Sequence, residues 1–257
     1  MLNTFIIDTN DPRNKILLDS LTELGYDAYA LTDNKWGADN TYVLSPSFVA
    51  SPKNKTLFRA GSVVYLYSLT EDYKQFFAQN DITVIKVVDD EDYTFANSIL
   101  TAEGALMHAI EATDLALADL SILILGYGHL GKALYKVFYP FNHNLTFAAR
   151  SMHDISEIKF LGCRALTIAE SAKQMPKYDL IINTIPAELF DAQPDLNPNV
   201  VILELASKIY PFDYYKLSGQ GIAHRILGSL PSKVAKVSAS NLLLYTILKK
   251  DLNYEQE

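Results

Sequence analysis

The chain has 257 residues, with 30 acidic side chains against 22 basic ones, a net charge of −8, and 49% hydrophobic and 20% charged residues. That composition supplies a sizeable core and excludes global disorder. The acidic balance argues against broad nucleic-acid or anionic-membrane binding. The single cysteine, Cys163, excludes an intrachain disulfide and a Cys-rich zinc site, and it fits a reducing compartment as a buried thiol. The start, Met1-Leu2-Asn3-Thr4-Phe5-Ile6-Ile7-Asp8, lacks the basic residues and long apolar stretch of a secretory signal. No apolar run approaches the ~20 residues that span a bilayer. A cytoplasmic protein without a membrane partner is expected.

Short apolar runs alternate with longer amphipathic ones, the pattern of an α/β protein with largely parallel sheets. A strand is expected over 5–7. A helix follows over 13–24, with Ile16, Leu17, Leu21 and Leu24 on one face and Gly25 as its stop. Strands over 27–31, 62–67 and 82–88, with a helix over 71–79, complete a first α/β domain over residues 1–96. The acidic run Asp89-Asp90-Glu91-Asp92 reads as a solvated boundary, with no further ligands placed nearby for a metal. A helical stretch over 97–120, carrying Leu106, Ile110, Ala112 and Leu115, leads into a second domain over 97–237. There the expected strands are 121–125, 145–149, 179–183, 200–204 and 222–226. The expected helices are 130–138, 154–161 and 168–174. A last helix over 234–252 carries Val234, Val237, Leu244, Tyr245 and Leu248, and its part from about 238 to 257 can return to the first domain.

The strongest chemical signal is Gly126-Tyr127-Gly128-His129-Leu130-Gly131, which follows the apolar run 122–125 and opens a helix with Leu130, Leu134, Val137 and Phe138 at helical spacing. That context is what a dinucleotide-binding fingerprint requires. Gly126 serves the tight turn, Gly128 the approach of backbone to a pyrophosphate, and Gly131 the close packing of helix on strand. The helix N-terminus adds amide donors and positive potential. The fold class expected is thus two open α/β domains, the second a Rossmann-type doubly wound parallel sheet. At the end of its second strand, Ala149-Arg150-Ser151 offers a cation and a hydroxyl where an NAD site usually carries a carboxylate. A clamp on a 2′-phosphate and a plain surface arginine are both open. Asn183-Thr184-Ile185-Pro186 ends a further strand, where ligands bind in open α/β sheets, although Asn183 can also cap its own turn. Leu205-Ala206-Ser207-Lys208 ends another. Thr101 and Glu103 read either as the cap and first turn of the interdomain helix or as residues facing the nicotinamide. The five histidines lack ligand spacing, so no metal site is expected, and neither a nucleophile elbow nor a P-loop is present.

Five separated motifs agree in order and spacing with one family. Asn97-Ser98-x-x-Thr101-Ala102-Glu103-Gly104, the glycine loop, Ala149-Arg150-Ser151, Asn183-Thr184-Ile185-Pro186 and Leu205-Ala206-Ser207-Lys208 resemble the A-subunit family of dipicolinate synthase over residues 90 to 250. The resemblance implies a two-domain Rossmann-type oxidoreductase that uses NADP or NAD on a dihydrodipicolinate-type ring. It also implies a flavoprotein partner, the B-subunit of such a synthase. Two segments depart from the family pattern. Glu204 and Ile209-Tyr210-Pro211 replace an Asp and a Pro-Gly-Gly turn, and Leu230 to Ser240 replaces a glycine-containing segment with Ser and bulkier residues. The nucleotide half looks intact and the substrate half altered.

The leading expectation is an NADP-dependent oxidoreductase, with NAD as the alternative cofactor, acting by hydride transfer on a small carboxylated substrate. Its candidate cofactor residues are Gly126 to Gly131, Arg150, Ser151, Asn183 to Pro186 and Leu205. Thr101, Glu103, Ser207, Lys208 and Lys233 are the candidate catalytic residues, with Arg225 a weaker substrate cation. No nucleic-acid partner is expected, and the pattern leaves room for a homo-oligomer. A second reading is a degenerate paralogue that binds the nucleotide as a sensor or as part of a complex, without turnover. A 2-hydroxyacid dehydrogenase is the weakest, for lack of an Arg…Glu…His set.

Overall fold

The structure is a computed structural model that describes residues 4–35, 37 and 39–251, with the side chains of 250 and 251 excepted. The chain divides into two compact units, Met1–Asn97 with Pro231–Glu257, and Ser98–Leu230.

Unit 1 contains β1 (Thr4–Ile7), α1 (Pro12–Glu23), β2 (Ala28–Ala30), β3 (Asn40–Val43), β4 (Val63–Leu66), α2 (Glu71–Gln79) and β5 (Thr83–Lys86). Its five strands are parallel, in the order β2-β1-β3-β4-β5. Helix starts follow capping chemistry. Asp11 accepts from Arg13 N at 2.9 Å with Pro12 at the first helical position, and Thr70 caps α2. Phe5, Ile7, Leu17, Leu21, Val43 and Tyr65 form a core on one face of the sheet, and Ile6, Tyr42, Phe58, Val64 and Phe77 form one on the other.

The long helix α3 (Glu91–Ala112) follows. It begins six residues earlier than the sequence pattern suggests and ends well before residue 120. The acidic run is part of its start: Asp90 Oδ1 accepts from Tyr93 N at 3.0 Å, and Glu91 and Asp92 lie in the first turn, where the helix dipole favours anions.

Unit 2 contains β6 (Ile122–Leu125), α4 (His129–Phe138), β7 (Leu145–Ala149), α5 (Met152–Phe160), β8 (Arg164–Thr167), α6 (Ile168–Gln174), β9 (Leu180–Asn183), β10 (Val201–Glu204), α7 (Tyr214–Gly219) and β11 (Ala223–Ile226). Six parallel strands run in the order β11-β10-β9-β6-β7-β8. Counted from β6 this is 3-2-1-4-5-6, the doubly wound arrangement whose ligand crevice opens where the order reverses, between β6 and β9. The strands are buried along their length at β6, β7, β9 and β10, as expected for a parallel sheet covered on both faces.

The chain then forms α8 (Leu230–Val234) and α9 (Lys236–Asp251). Leu243 and Ile247 of α9 sit in the unit 1 core with Phe5, Leu17 and Leu21. Residue 252, which the sequence pattern includes in this helix, lies outside the described residues. Among those residues no helix is long and apolar enough to cross a membrane. The sequence expectations contain no counterpart for β3 or β8, both short and rich in polar residues.

Candidate functional site

Because every strand of the unit 2 sheet is parallel, all C-terminal tips lie along one edge. From β7 to β10 the order is β7, β6, β9, β10, a span of about 14 Å at ordinary strand spacing. The segments that the sequence picked out therefore stand side by side: Arg150 and Ser151, then the glycine loop, then Asn183 to Pro186, then Leu205 to Lys208.

The three glycines of the loop differ in what surrounds them. Gly126 has φ +104, and a Cβ there would overlap Thr184 Oγ1 and approach Ile185 Cγ1 to 2.9 Å. Gly131 is the close-packing glycine, since a Cβ would run into the backbone carbonyl of Gly126. Gly128, which precedes the first residue of α4, has nothing within 4 Å of a Cβ. Two positions are closed against the protein itself and the middle one is open. The loop is pinned from both sides: Gly126 N donates to Ala148 O at 2.9 Å, while Thr184 N and Oγ1 donate to Leu125 O at 3.0 and 2.8 Å.

Tyr127 turns away from this opening. Its ring is buried edge-on to Phe147 at 5.4 Å, and its hydroxyl donates to Glu157 Oε1 at 3.3 Å. Lys132 Nζ holds the same carboxylate at 2.9 Å and keeps it below the usual carboxylate range. The side chain of Tyr127 is thus engaged with the protein's own groups. His129 and Leu130 are partly buried in the first turn of α4, and Leu130 packs on the core.

Arg150 is exposed at the tip of β7 and has no hydrogen bond or ion pair among the described residues. Ser151 Oγ accepts from Asp154 N at 3.1 Å as the cap of α5, which leaves its own proton free to donate.

Asn183 differs from expectation. It is 0% exposed, and its Nδ2 donates to both oxygens of Glu204, at 2.8 and 2.9 Å, and to Ile185 O at 3.1 Å. Its Oδ1 accepts from Ile185 N at 3.1 Å. The side chain shapes the loop from beneath, and no donor hydrogen remains for a ligand. Thr184 and Ile185 are partly exposed and Pro186 exposed. Glu204, also 0% exposed, additionally accepts from Ala206 N at 2.8 Å and from Tyr214 OH at 2.7 Å. Burial pushes its carboxyl up, against the opposing pull of Tyr214, Asn183 and Ala206. Stability from a group so shifted is complete below the ordinary carboxylate range and is lost as pH rises through the raised value. The stability difference between wild type and Glu204→Gln, measured by urea melts over a pH series, should therefore move against the wild type as pH rises. A flat difference would contradict this.

Leu205 is partly exposed, and Ser207 and Lys208 are exposed. Lys208 has φ +76, and Ile209 N donates across it to Ser207 O at 3.0 Å, a three-residue turn in a conformation unusual for a side-chain-bearing residue. Thr101 and Glu103 lie in the middle of α3, so neither caps a helix start. Lys233 is exposed in the last turn of α8, in unit 1. Arg225 is engaged elsewhere: its NH1 lies 2.9 Å from both His108 Nδ1 and Glu111 Oε2. Cys163 is buried, and its thiol is pushed up by that burial. Sequence reasoning missed Tyr214 altogether and noted Glu204 only as a departure. The available signal was a carboxylate closing the buried apolar run Val201–Leu203.

The chain is 27% identical over 201 residues to the A-subunit of dipicolinate synthase of Bacillus subtilis (strain 168), which is 77% of this chain. It is a homologue of that protein. The match spans 65% of the length of the curated relative. Among solved structures, the dipicolinate synthase A-subunit from Bacillus halodurans superposes with a TM-score of 0.86 at 22% identity, covering 99% of this chain and 98% of that one. Its counterpart from Bacillus subtilis gives 0.81 at 22% identity, with the same coverage. A transhydrogenase from Sinorhizobium meliloti gives 0.68 at 15%, covering 98% of this chain and 94% of its own. These structures share the fold of two α/β units. No protein-family model matches the chain.

Proposed function

We propose that the chain is a nicotinamide-dinucleotide-dependent oxidoreductase that prefers NADP and acts on a small carboxylated substrate of the dihydrodipicolinate type. The observation that carries this is the open Cβ direction at Gly128, between two glycines closed by the protein's own atoms and at the start of α4. A cradle left open at one glycine while its neighbours are filled suits a pyrophosphate approached by backbone amides. The similarity to the A-subunit of dipicolinate synthase supports the choice of reaction class and substrate. It also supports a flavoprotein B-subunit as partner.

Bound at this edge, the dinucleotide would supply hydride transfer at its nicotinamide ring. The first turn of α4 would hold its phosphates, while Thr184, Ile185, Pro186 and Leu205 would line the way toward β10. Ser207 and Lys208 follow on that side as donors for a substrate carboxylate, and Thr101 and Glu103, of the same unit, complete the proposed catalytic set. Asn183 is assigned to shaping the loop, since its amide is spent on protein atoms.

Cofactor choice is the test. Arg150 is exposed and unengaged among the described residues, with Ser151 beside it and no carboxylate before Asp154. An arginine–phosphate contact is worth about 1.5–3 kcal/mol, roughly a 10- to 150-fold preference for NADPH over NADH. Titration calorimetry should show that preference, and Arg150→Ala should remove most of it while leaving NADH affinity nearly unchanged. Equal affinities in the unmodified protein would overturn the NADP assignment.

A second reading, nucleotide binding without turnover, is favoured by one observation: Arg225, a candidate substrate cation, is held by His108 and Glu111. Saturable NADPH binding with no turnover across a panel of imino and carbonyl dicarboxylates would establish it.

A further inference from the structure

The C-terminal ends of β9 and β10 meet in a pair that is polar where the rest of both strands is apolar. Asn183 stands opposite Glu204 in register, and both are fully buried behind Leu180–Ile182 and Val201–Leu203. A buried carboxylate is costly unless donors surround it, and a well-packed apolar residue would hold two strands together without that cost. Here the donors come from three separate places: Asn183 of β9, the Ala206 amide in the loop after β10, and the Tyr214 hydroxyl at the start of α7. All of these groups donate, an arrangement that fits a carboxylate and leaves an apolar or shorter replacement unable to reproduce it.

The ties continue beyond Glu204. Asn183 closes on both the N–H and the carbonyl of Ile185. Thr184, between them, donates to Leu125 O, and Ile185 stands against Gly126. One carboxylate thus connects the tip of β10 through β9 to the glycine loop after β6.

We propose that Glu204 is a positioning residue that locks the loops 183–186 and 205–208 to each other, so that the tips of β6, β9 and β10 meet a dinucleotide as one rigid edge. The proposal rests on the dinucleotide reading above. It assigns Glu204 no contact with the ligand, and its effect is exerted through the Ile185 and Ala206 backbones.

The test uses the full chain with Glu204→Ala and Glu204→Gln, and reads two quantities. The first is amide hydrogen exchange at Ile185 and Ala206 without nucleotide. The second is the NADPH dissociation constant, measured well below the melting temperature of each variant. Alanine removes every acceptor, so exchange at both amides should accelerate about tenfold or more, and NADPH affinity should fall about tenfold. Glutamine keeps one acceptor oxygen for Ala206 and Asn183 but turns a donor toward donors, so it should recover part of both losses. If alanine does not fold, the glutamine variant alone decides, with smaller shifts of the same sign. Unchanged exchange at the two amides overturns the proposal. So does accelerated exchange with undiminished NADPH affinity, because the edge would then be loosened without consequence for the ligand. A wild-type protein that binds neither NADPH nor NADH would sink the dinucleotide reading instead, and the exchange data would still report whether Glu204 fixes the loops.

Discussion

Gly128→Val should abolish dinucleotide binding and leave the fold standing. The two effects separate because Gly128 has an ordinary φ of −77 and open space where a side chain would go. Valine there meets no protein atom at its Cβ, and the cost to stability is limited to a poorer residue ahead of α4, about 1 kcal/mol. The same side chain would stand where the pyrophosphate must approach the backbone. Calorimetric melting should show a near-native transition, while NADPH and NADH titrations show no saturable heat. Retained affinity in a folded Gly128→Val protein would remove the loop from the site.

Gly131→Ala should do the opposite and strike stability first. Its Cβ would collide with the carbonyl of Gly126, which is backbone held by the Ala148 bond and cannot swing aside. Overpacking of this kind costs about 1–3 kcal/mol, and the helix propensity gained by replacing glycine returns about 1 kcal/mol at most. With immovable backbone as the obstacle, the net loss should sit near the upper end, about 2 kcal/mol. In a unit of this size that is a fall in melting temperature of several degrees, of order 5 °C. A melting temperature at or above the wild-type value would show that α4 and the strand are not packed as closely as described. Taken as a pair, the two variants distinguish a glycine needed by a ligand from a glycine needed by the protein.

These contrasts follow from a motif that was readable in the sequence, because strand, glycine loop and helix are consecutive and each announces itself locally. The doubly wound sheet was readable for the same reason: β6, β7, β9 and β10 are short apolar runs between amphipathic helices. Other features were hidden for identifiable reasons. The strand β3, Asn40-Thr41-Tyr42-Val43, carries a single aliphatic residue, yet it lies between β1 and β4, so its burial comes from neighbours remote in sequence. The edge strand β8, beginning at Arg164, is likewise defined by its pairing with β7. The start of α3 was obscured because an acidic run resembles a solvated linker, although acidic residues are also what a helix start prefers. The pairing of Asn183 with Glu204 depends on the register of two strands, which no local pattern specifies. Tyr214 reaches the pair only through the position of α7.

The discontinuity of unit 1 has a consequence for how the chain acquires its structure. Residues 98–230 are contiguous, so unit 2 holds all of its own sheet within one stretch and can fold as soon as that stretch is available. The unit 1 core instead takes Leu243 and Ile247 from α9, which arrives only after the whole of unit 2 has been made. During synthesis the face of β1 and α1 formed by Phe5, Leu17 and Leu21 must wait, partly uncovered, until α9 emerges. Unit 1, begun before unit 2 in this stretch of chain, is therefore finished after it, and the apolar surface left uncovered in between favours aggregation.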